Sequence, residues 1–393
     1  MSKPADFQNE IYLNGLADQR PPLPTDLTAL EELAAARLSA RAFGYVAGSA
    51  GTEATARANR AAFDRWRIVP RMLRDVSSCD LAVDVLGTAL PAPVLLGPIG
   101  VLSILHPEGE LAVARAAAAL GVPMVLSSAA SHDMEAVAAA SGAGPRWFQL
   151  YWSKDRDLAA SFLERAKKAG YTALVVTLDT FTMAWRPRDL DGAYLPFLRG
   201  IGTANYFSDP VFQRAIGGPV TPDNQGMAVL HWVANFGNPA LTWDDLTFLR
   251  EHWDGPIALK GILHPDDARR AADAGMDGVV VSNHGGRQVD GSVGALDALP
   301  GVVEAVGDRL TVLFDSGVRT GADVVKALAL GARAVLLARP YAYGLALGGE
   351  AGVRHVLRCL MAELQLTLTL AGLAGPGEAG QEVLTPAPWA PAH

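Results

Sequence analysis

Short apolar runs alternate with longer alanine-rich amphipathic segments along most of the chain. The runs at residues 94–97, 124–127, 147–151, 173–178, 257–260, 278–281, 311–314 and 334–337 are β-branched or leucine-rich and lack polar alternation. That pattern predicts strands covered on both faces. Segments 108–119, 158–169, 265–274 and 321–330 carry apolar positions at helical spacing and predict helices behind their strands. Eight strand–helix units in one chain predict a closed (β/α)8 TIM barrel over residues 91–374. An open doubly wound sheet is the competing architecture. The absence of a glycine-rich dinucleotide turn after the first strand counts against it.

Three regions fall outside the repeat. Residues 1–90 read as a helical N-terminal extension, with an alanine-rich segment at 27–42 and a proline-flanked stretch at 67–71. Residues 186–239 separate the fourth strand from its helix and are rich in Gly, Pro, Asn and Asp. They also carry Tyr194, Phe197, Tyr206, Phe207 and Phe212, so a lid-like long loop is expected rather than disorder. Residues 375–393 are proline-rich and read as an extended, non-helical C-terminal tail, either wrapped on a neighbouring subunit or mobile.

Composition narrows the function classes. The chain has 393 residues, of which 50% are hydrophobic and 19% charged, enough for a large core. A net charge of −8 argues against a nucleic-acid surface and gives no attraction to anionic membranes. Cys79 and Cys359 lie far apart, so neither a disulfide framework nor a cysteine zinc site is expected, and no metal is. No apolar run reaches membrane-spanning length and the first residues are polar, so a cytoplasmic protein is expected.

Barrel chemistry sits where strands end. The sixth run ends in Ser282-Asn283-His284-Gly285-Gly286-Arg287-Gln288. His284 can take a proton near neutral pH, Arg287 can hold a carboxylate, and the paired glycines admit a flat ligand. A surface histidine in a polar loop is the plain alternative. The strand, the glycines and the arginine together favour proton abstraction from an acid. Other strand ends add Gln149 and Tyr151, Thr177 and Asp179, Lys260, Asp315 and Arg339. Asp179 would stabilise an imidazolium at His284, and Arg186 would join Arg287 as a carboxylate clamp. Lys260 closes an apolar strand as a fixed positive charge. Asp315 to Gly321, followed by a helix, reads as a phosphate cradle with Gly317 at its close approach.

These residues carry a resemblance. The chain resembles the FMN-dependent 2-hydroxy-acid oxidases and dehydrogenases from about residue 45 to about 370. The Ser-Asn-His-Gly-Gly-Arg-Gln block carries most of it. His106-Pro107-Glu108-Gly109-Glu110, Phe148-Gln149-Leu150-Tyr151 and Asp315 to Gly321 follow in the family's order. The resemblance implies an FMN cofactor, His284 as base and Asp179 as its partner. It implies Arg186 and Arg287 on the substrate carboxylate, with Tyr45 and Tyr151 touching carboxylate and hydroxyl. It further implies Pro98, Ile99 and Gly100 along the flavin, and Ser127, Gln149, Thr177 and Ser282 at its polar edge. Lys260 would sit beside N1 and O2, and Asp315 at the ribityl chain. Ser316, Gly317, Arg319, Ala338 and Arg339 would surround the phosphate.

Departures from the family refine the picture. Gly100 replaces a common alanine and is expected to open space beside the ring, and Ala129 reshapes the pocket. Ser316 and Ala338 replace glycines. The Trp185-Arg186-Pro187-Arg188-Asp189-Leu190-Asp191 segment, the long loop and the tail most resemble lactate 2-monooxygenase. That implies oxidation of L-lactate by O2 to acetate, CO2 and water, with a homotetramer or larger assembly. The alternative is an oxidase of L-lactate or another 2-hydroxy acid that releases 2-keto acid and hydrogen peroxide.

Overall fold

The computed structural model describes residues 3–387. Eight parallel strands close into a barrel: β1 (Val94–Leu96), β2 (Met124–Ser127), β3 (Arg146–Tyr151), β4 (Leu174–Thr177), β5 (Ile257–Ile262), β6 (Gly278–Val281), β7 (Thr311–Phe314) and β8 (Ala334–Leu337). Each pairs with its sequence neighbour, and β8 pairs with β1. The barrel expectation is borne out.

Alternate positions on a strand share a face. The inward set forms one apolar cluster from Leu95, Val125, Trp147, Val175, Ala258, Val280, Leu313 and Leu336. Two residues further along each strand, the same face reaches Gly97, Ser127, Gln149, Thr177, Lys260, Ser282, Asp315 and Ala338. A further step of two gives Tyr151, Asp179, His284 and Gly317. The strand period therefore lifts the chain from a dry barrel interior to a polar mouth in one repeat.

The N-terminal extension is not wholly helical. The 27–42 segment breaks at Ser39, which caps a second helix, Ala40–Ala47, by accepting from the Ala42 amide. Val83–Val85 and Thr88–Leu90 form a hairpin whose Val85 and Leu90 pack into the barrel interior. Trp147 Nε1 donates to its Thr88 hydroxyl at 3.1 Å. Trp66–Ile68 pairs antiparallel with Leu384–Pro386, so part of the tail returns to its own chain and buries Val383. Residues 388–393 of that tail lie outside the described residues.

The 186–239 insertion is mostly helical rather than a loop. It contains Pro187–Asp191, Pro196–Arg199, Ala204–Phe207, Pro210–Ala215 and Gln225–Asn235. Its Pro187, Pro196 and Pro210 start helices, where the missing N–H costs nothing. Arg165 on a barrel helix fastens it, donating to the Asn205 carbonyl at 2.8 Å and to buried Asp209 at 3.0 Å. No helix among the described residues is long and apolar enough to cross a membrane.

Candidate active site

His284 follows β6 in a tight turn. Its φ is +59°, and Gly285 and Gly286 follow at +66° and +80°. A left-handed histidine is strained, and such strain clusters at functional sites. A Cβ on Gly286 would lie 2.6 Å from the Ala56 amide nitrogen, so only glycine fits. The turn is tied from inside. The Ser282 hydroxyl accepts from the His284 amide at 3.0 Å, and Asn283 accepts from the Gly286 amide at 3.1 Å. Asn283 and Asn59 also pair amide to amide.

His284 Nδ1 lies 2.8 Å from Asp179 Oδ1, and the Thr180 hydroxyl donates to the same oxygen at 2.9 Å. Asp179 Oδ2 is buried and has no partner among the described residues. Burial opposes the Asp179 charge, but His284 and Lys260 outweigh it and hold the carboxyl down at about 2. For His284, burial outweighs the pull of Asp179, and its pKa lies below the usual value. The pair is therefore a carboxylate and a neutral imidazole whose Nε2 is free to act as base.

Two arginines face the same cavity as His284. Arg186 immediately precedes the helix Pro187–Asp191; its Nε donates to the Arg287 carbonyl at 3.0 Å, and it also donates to the Gln288 side chain. Arg287 Nη1 donates to the carbonyls of Tyr45 and Gly48, at 2.7 and 2.6 Å, and its guanidinium lies 5.1 Å from the Tyr45 ring centre. Burial, then the Arg287 charge, pulls Arg186 down to about 10. Among the described residues neither arginine is paired with a carboxylate. Partly buried cations with spare donors make an anion site. Tyr45 and Tyr151 complete this end. Burial raises both, Tyr151 to about 12, so both hydroxyls are protonated donors at neutral pH.

Lys260, 4% exposed, donates to the Ser282 hydroxyl at 2.9 Å and sits 3.2 Å from Asp315. Burial works against its charge, but Asp315 and Asp179 outweigh it and raise its pKa. Ser127, Gln149 and Thr177 are buried and joined in a row, at 3.0 Å from Ser127 to Gln149 and 2.9 Å from Gln149 to Thr177. Pro98, Ile99, Gly100, Ser316, Gly317, Arg319, Ala338 and Arg339 line the cavity shared with the base. Asp179, Thr177 and Ser282 instead wall a neighbouring cavity.

Two sequence expectations change here. Gly100 does not open space: a Cβ there would lie 2.7 Å from the Ala129 carbonyl oxygen, so the loop after β2 already fills that room. The phosphate cradle does not use the helix Gly321–Ala329, because Glu363 and Thr320 already take its Gly321 and Asp323 amides. Anion binding falls instead to the Gly317 turn, Arg319 and Arg339. Sequence reasoning missed Thr180, whose hydroxyl beside Asp179 was an available signal. It also missed Met183 and Phe236, apolar cavity residues with no local signature, and named Phe197 only as part of the long loop.

Residues 34–386 match the family described as FMN-dependent dehydrogenase. The chain is 51% identical over 371 residues to the FMN-dependent alpha-hydroxy acid dehydrogenase qulF of Penicillium citrinum, covering 93% of this chain and 92% of that protein. It is 42% identical over 364 residues to an L-lactate oxidase of Lysinibacillus sphaericus, covering 92% and 93%. A crystal structure of mandelate oxidase superposes with a TM-score of 0.82 at 39% identity, covering 93% of this chain and 99% of that one.

The donor set fits FMN. Arg319 and Arg339 have no carboxylate partner among the described residues, and burial lowers both, Arg339 to about 10. They suit a phosphate. Gly317, at φ +103°, lets the backbone approach to where a Cβ would meet the Asn59 carbonyl at 3.0 Å. Lys260 adds a buried cation to the same cavity. With these residues and the matched length, the chain belongs to the FMN-dependent dehydrogenase family, whose relatives oxidise 2-hydroxy acids.

Proposed function

We propose that this protein oxidises L-lactate with O2 to acetate, CO2 and water. The observation that carries the 2-hydroxy-acid chemistry is the His284–Asp179 pair facing two arginines without carboxylate partners. Arg186 and Arg287 bind the substrate carboxylate, and the Tyr45 and Tyr151 hydroxyls orient it. FMN, when bound, supplies the two-electron acceptor. His284 Nε2 takes the proton that leaves the substrate, and Asp179 stabilises the imidazolium that results. Lys260 would set a fixed positive charge beside the ring system, Asp315 would take the ribityl hydroxyls, and Gly317, Arg319 and Arg339 would hold the phosphate. Pro98, Ile99 and Gly100 would lie along the flavin, with Ser127, Gln149, Thr177 and Ser282 at its polar edge.

Decarboxylation requires that pyruvate stay in the site. The packing of the insertion supports retention. Phe197 stacks on Trp232 at 4.7 Å and on Phe236 at 6.1 Å, over the substrate end of the cavity. Asn205 and Arg165 bolt that roof to the barrel. A second reading has its own support. Phe181, Met183 and Trp185 are 52, 47 and 74% exposed, and Met183 lines the cavity, so segment 181–185 is a part of its rim that burial holds weakly. If it opens early, the products are pyruvate and hydrogen peroxide. Product analysis in air with L-lactate separates the two. Acetate and CO2 without peroxide supports the proposal; equimolar pyruvate and peroxide replaces it with the oxidase.

The base predicts a pH dependence. Burial lowers His284, so substrate-driven bleaching of FMN stays fast at neutral pH and falls on acidification as His284 protonates. Asp179→Asn removes a charge that favours the imidazolium. Its acid limb therefore moves to lower pH, and its plateau rate drops roughly tenfold to a hundredfold as the base weakens. A pH series of anaerobic bleaching checks this. A limb that stays put, or moves up, contradicts the assigned partnership.

A further inference from the structure

Ser316 stands out in the described backbone. Its φ is +81°, a left-handed conformation that a non-glycine residue adopts only when its surroundings impose it. Glycine would sit there without strain, so the side chain must contribute something. Its hydroxyl donates to Asp315 Oδ1 at 2.7 Å. It accepts from the Gly285 amide at 3.0 Å and from the Asn283 amide at 3.3 Å. A hydroxyl offers one donor and two acceptor sites, and all three are in use. Nothing remains for a bound cofactor, so the family-derived assignment of Ser316 to cofactor binding can hold only through its backbone.

The three bonds join two parts of the site. Asp315 Oδ2 faces Lys260 at 3.2 Å, so the bond from Ser316 fixes which Asp315 oxygen meets the lysine. Asn283 and Gly285 flank His284, itself left-handed at +59°. Ser282 closes the circuit from the other side, since its hydroxyl meets both Lys260 and the His284 amide.

We propose that Ser316 is a positioning residue for proton transfer: its hydroxyl clasps the left-handed turn carrying His284 to the Asp315–Lys260 pair. The inference rests on the reading of His284 as the base, and it deepens that reading. It keeps base and cation at a fixed separation. Without the clasp, two amides beside His284 lose their acceptor, and the turn is free to relax toward an ordinary right-handed conformation.

Two variants test it in the FMN-loaded protein. Ser316→Ala keeps the backbone strain and removes the clasp. Ser316→Gly removes both, so it folds at least as readily. Hydrogen exchange over residues 282–288 should quicken about tenfold or more in both, the cost of amide donors left without an acceptor. FMN affinity should stay within about threefold, because the hydroxyl has no bond to spare. With L-lactate, kcat should fall about tenfold or more at nearly unchanged KM, as expected for an interaction that matters only during reaction. Unchanged exchange in both variants overturns the proposal. So does weakened FMN binding with normal turnover of the loaded fraction, which would make Ser316 a cofactor ligand. A Ser316→Gly protein that matches wild type in exchange and kcat also overturns it. If wild type bleaches with no L-2-hydroxy acid, the functional reading fails, while the exchange result still decides whether Ser316 holds the turn.

Discussion

His284→Gln leaves a yellow, FMN-loaded protein that L-lactate reduces about a thousandfold more slowly, within the range a positioned general base contributes. Glutamine keeps a polar side chain of similar reach but has no basic nitrogen. The loss is therefore one of proton acceptance, not of shape. FMN is retained because the proposed ribityl and phosphate contacts come from other elements: Asp315, Gly317 and Arg319 follow β7, and Arg339 opens the helix Arg339–Leu370 after β8. Rapid anaerobic mixing with L-lactate measures the rate directly. Bleaching at the wild-type rate would remove His284 from the role of base and leave Asp179 without a partner to serve.

Arg287→Met weakens kcat/KM by about 3 kcal/mol, or roughly 150-fold, the worth of charge-assisted bonds from an arginine that has no carboxylate partner among the described residues. Methionine keeps much of the aliphatic stem but none of the donors. Two effects combine. The substrate carboxylate loses half of its clamp, and the Tyr45 and Gly48 carbonyls lose the donor that draws the N-terminal extension onto the barrel. Arg186 should persist as the weaker half, since its own bonds go to the Arg287 carbonyl and to Gln288, and the carbonyl survives the substitution. Steady-state kinetics and FMN content check both parts. Unchanged kcat/KM would mean that the substrate carboxylate binds elsewhere.

Much of this site was legible because strand geometry makes it so. A parallel strand buried on both faces must be continuously apolar, and its end is where polarity can return. Lys260, Ser282 and Asp315 each stand two positions beyond an inward apolar residue, at Ala258, Val280 and Leu313. A polar residue at such a place is conspicuous in the chain itself. Tyr45 was not conspicuous. It lies in the helix Ala40–Ala47 and reaches the site through Arg287, a contact between residues 242 positions apart. Tertiary folding alone creates it.

The insertion misled for a different reason. Gly, Pro, Asn and Asp mark loops, yet here Pro187, Pro196 and Pro210 open helices, and Asp209 caps one by accepting from the Val211 and Phe212 amides. The same residues that end helices also begin them. The pairing of Trp66–Ile68 with Leu384–Pro386 was out of reach too. Three residues are too few for a strand period to register, and the partner lies at the other end of the chain. Gly100 shows the limit of comparison by residue size. A missing methyl group suggests room, but the Ala129 carbonyl occupies it.

We propose that His284, Arg186 and Arg287 act together on the carboxylate and proton of a 2-hydroxy acid. Anaerobic mixing of the FMN-loaded protein with L-lactate tests it most directly. L-lactate should remove the yellow colour completely, with little loss in His284→Gln over the same time. A flavin that stays yellow with L-lactate and with longer L-2-hydroxy acids would contradict it.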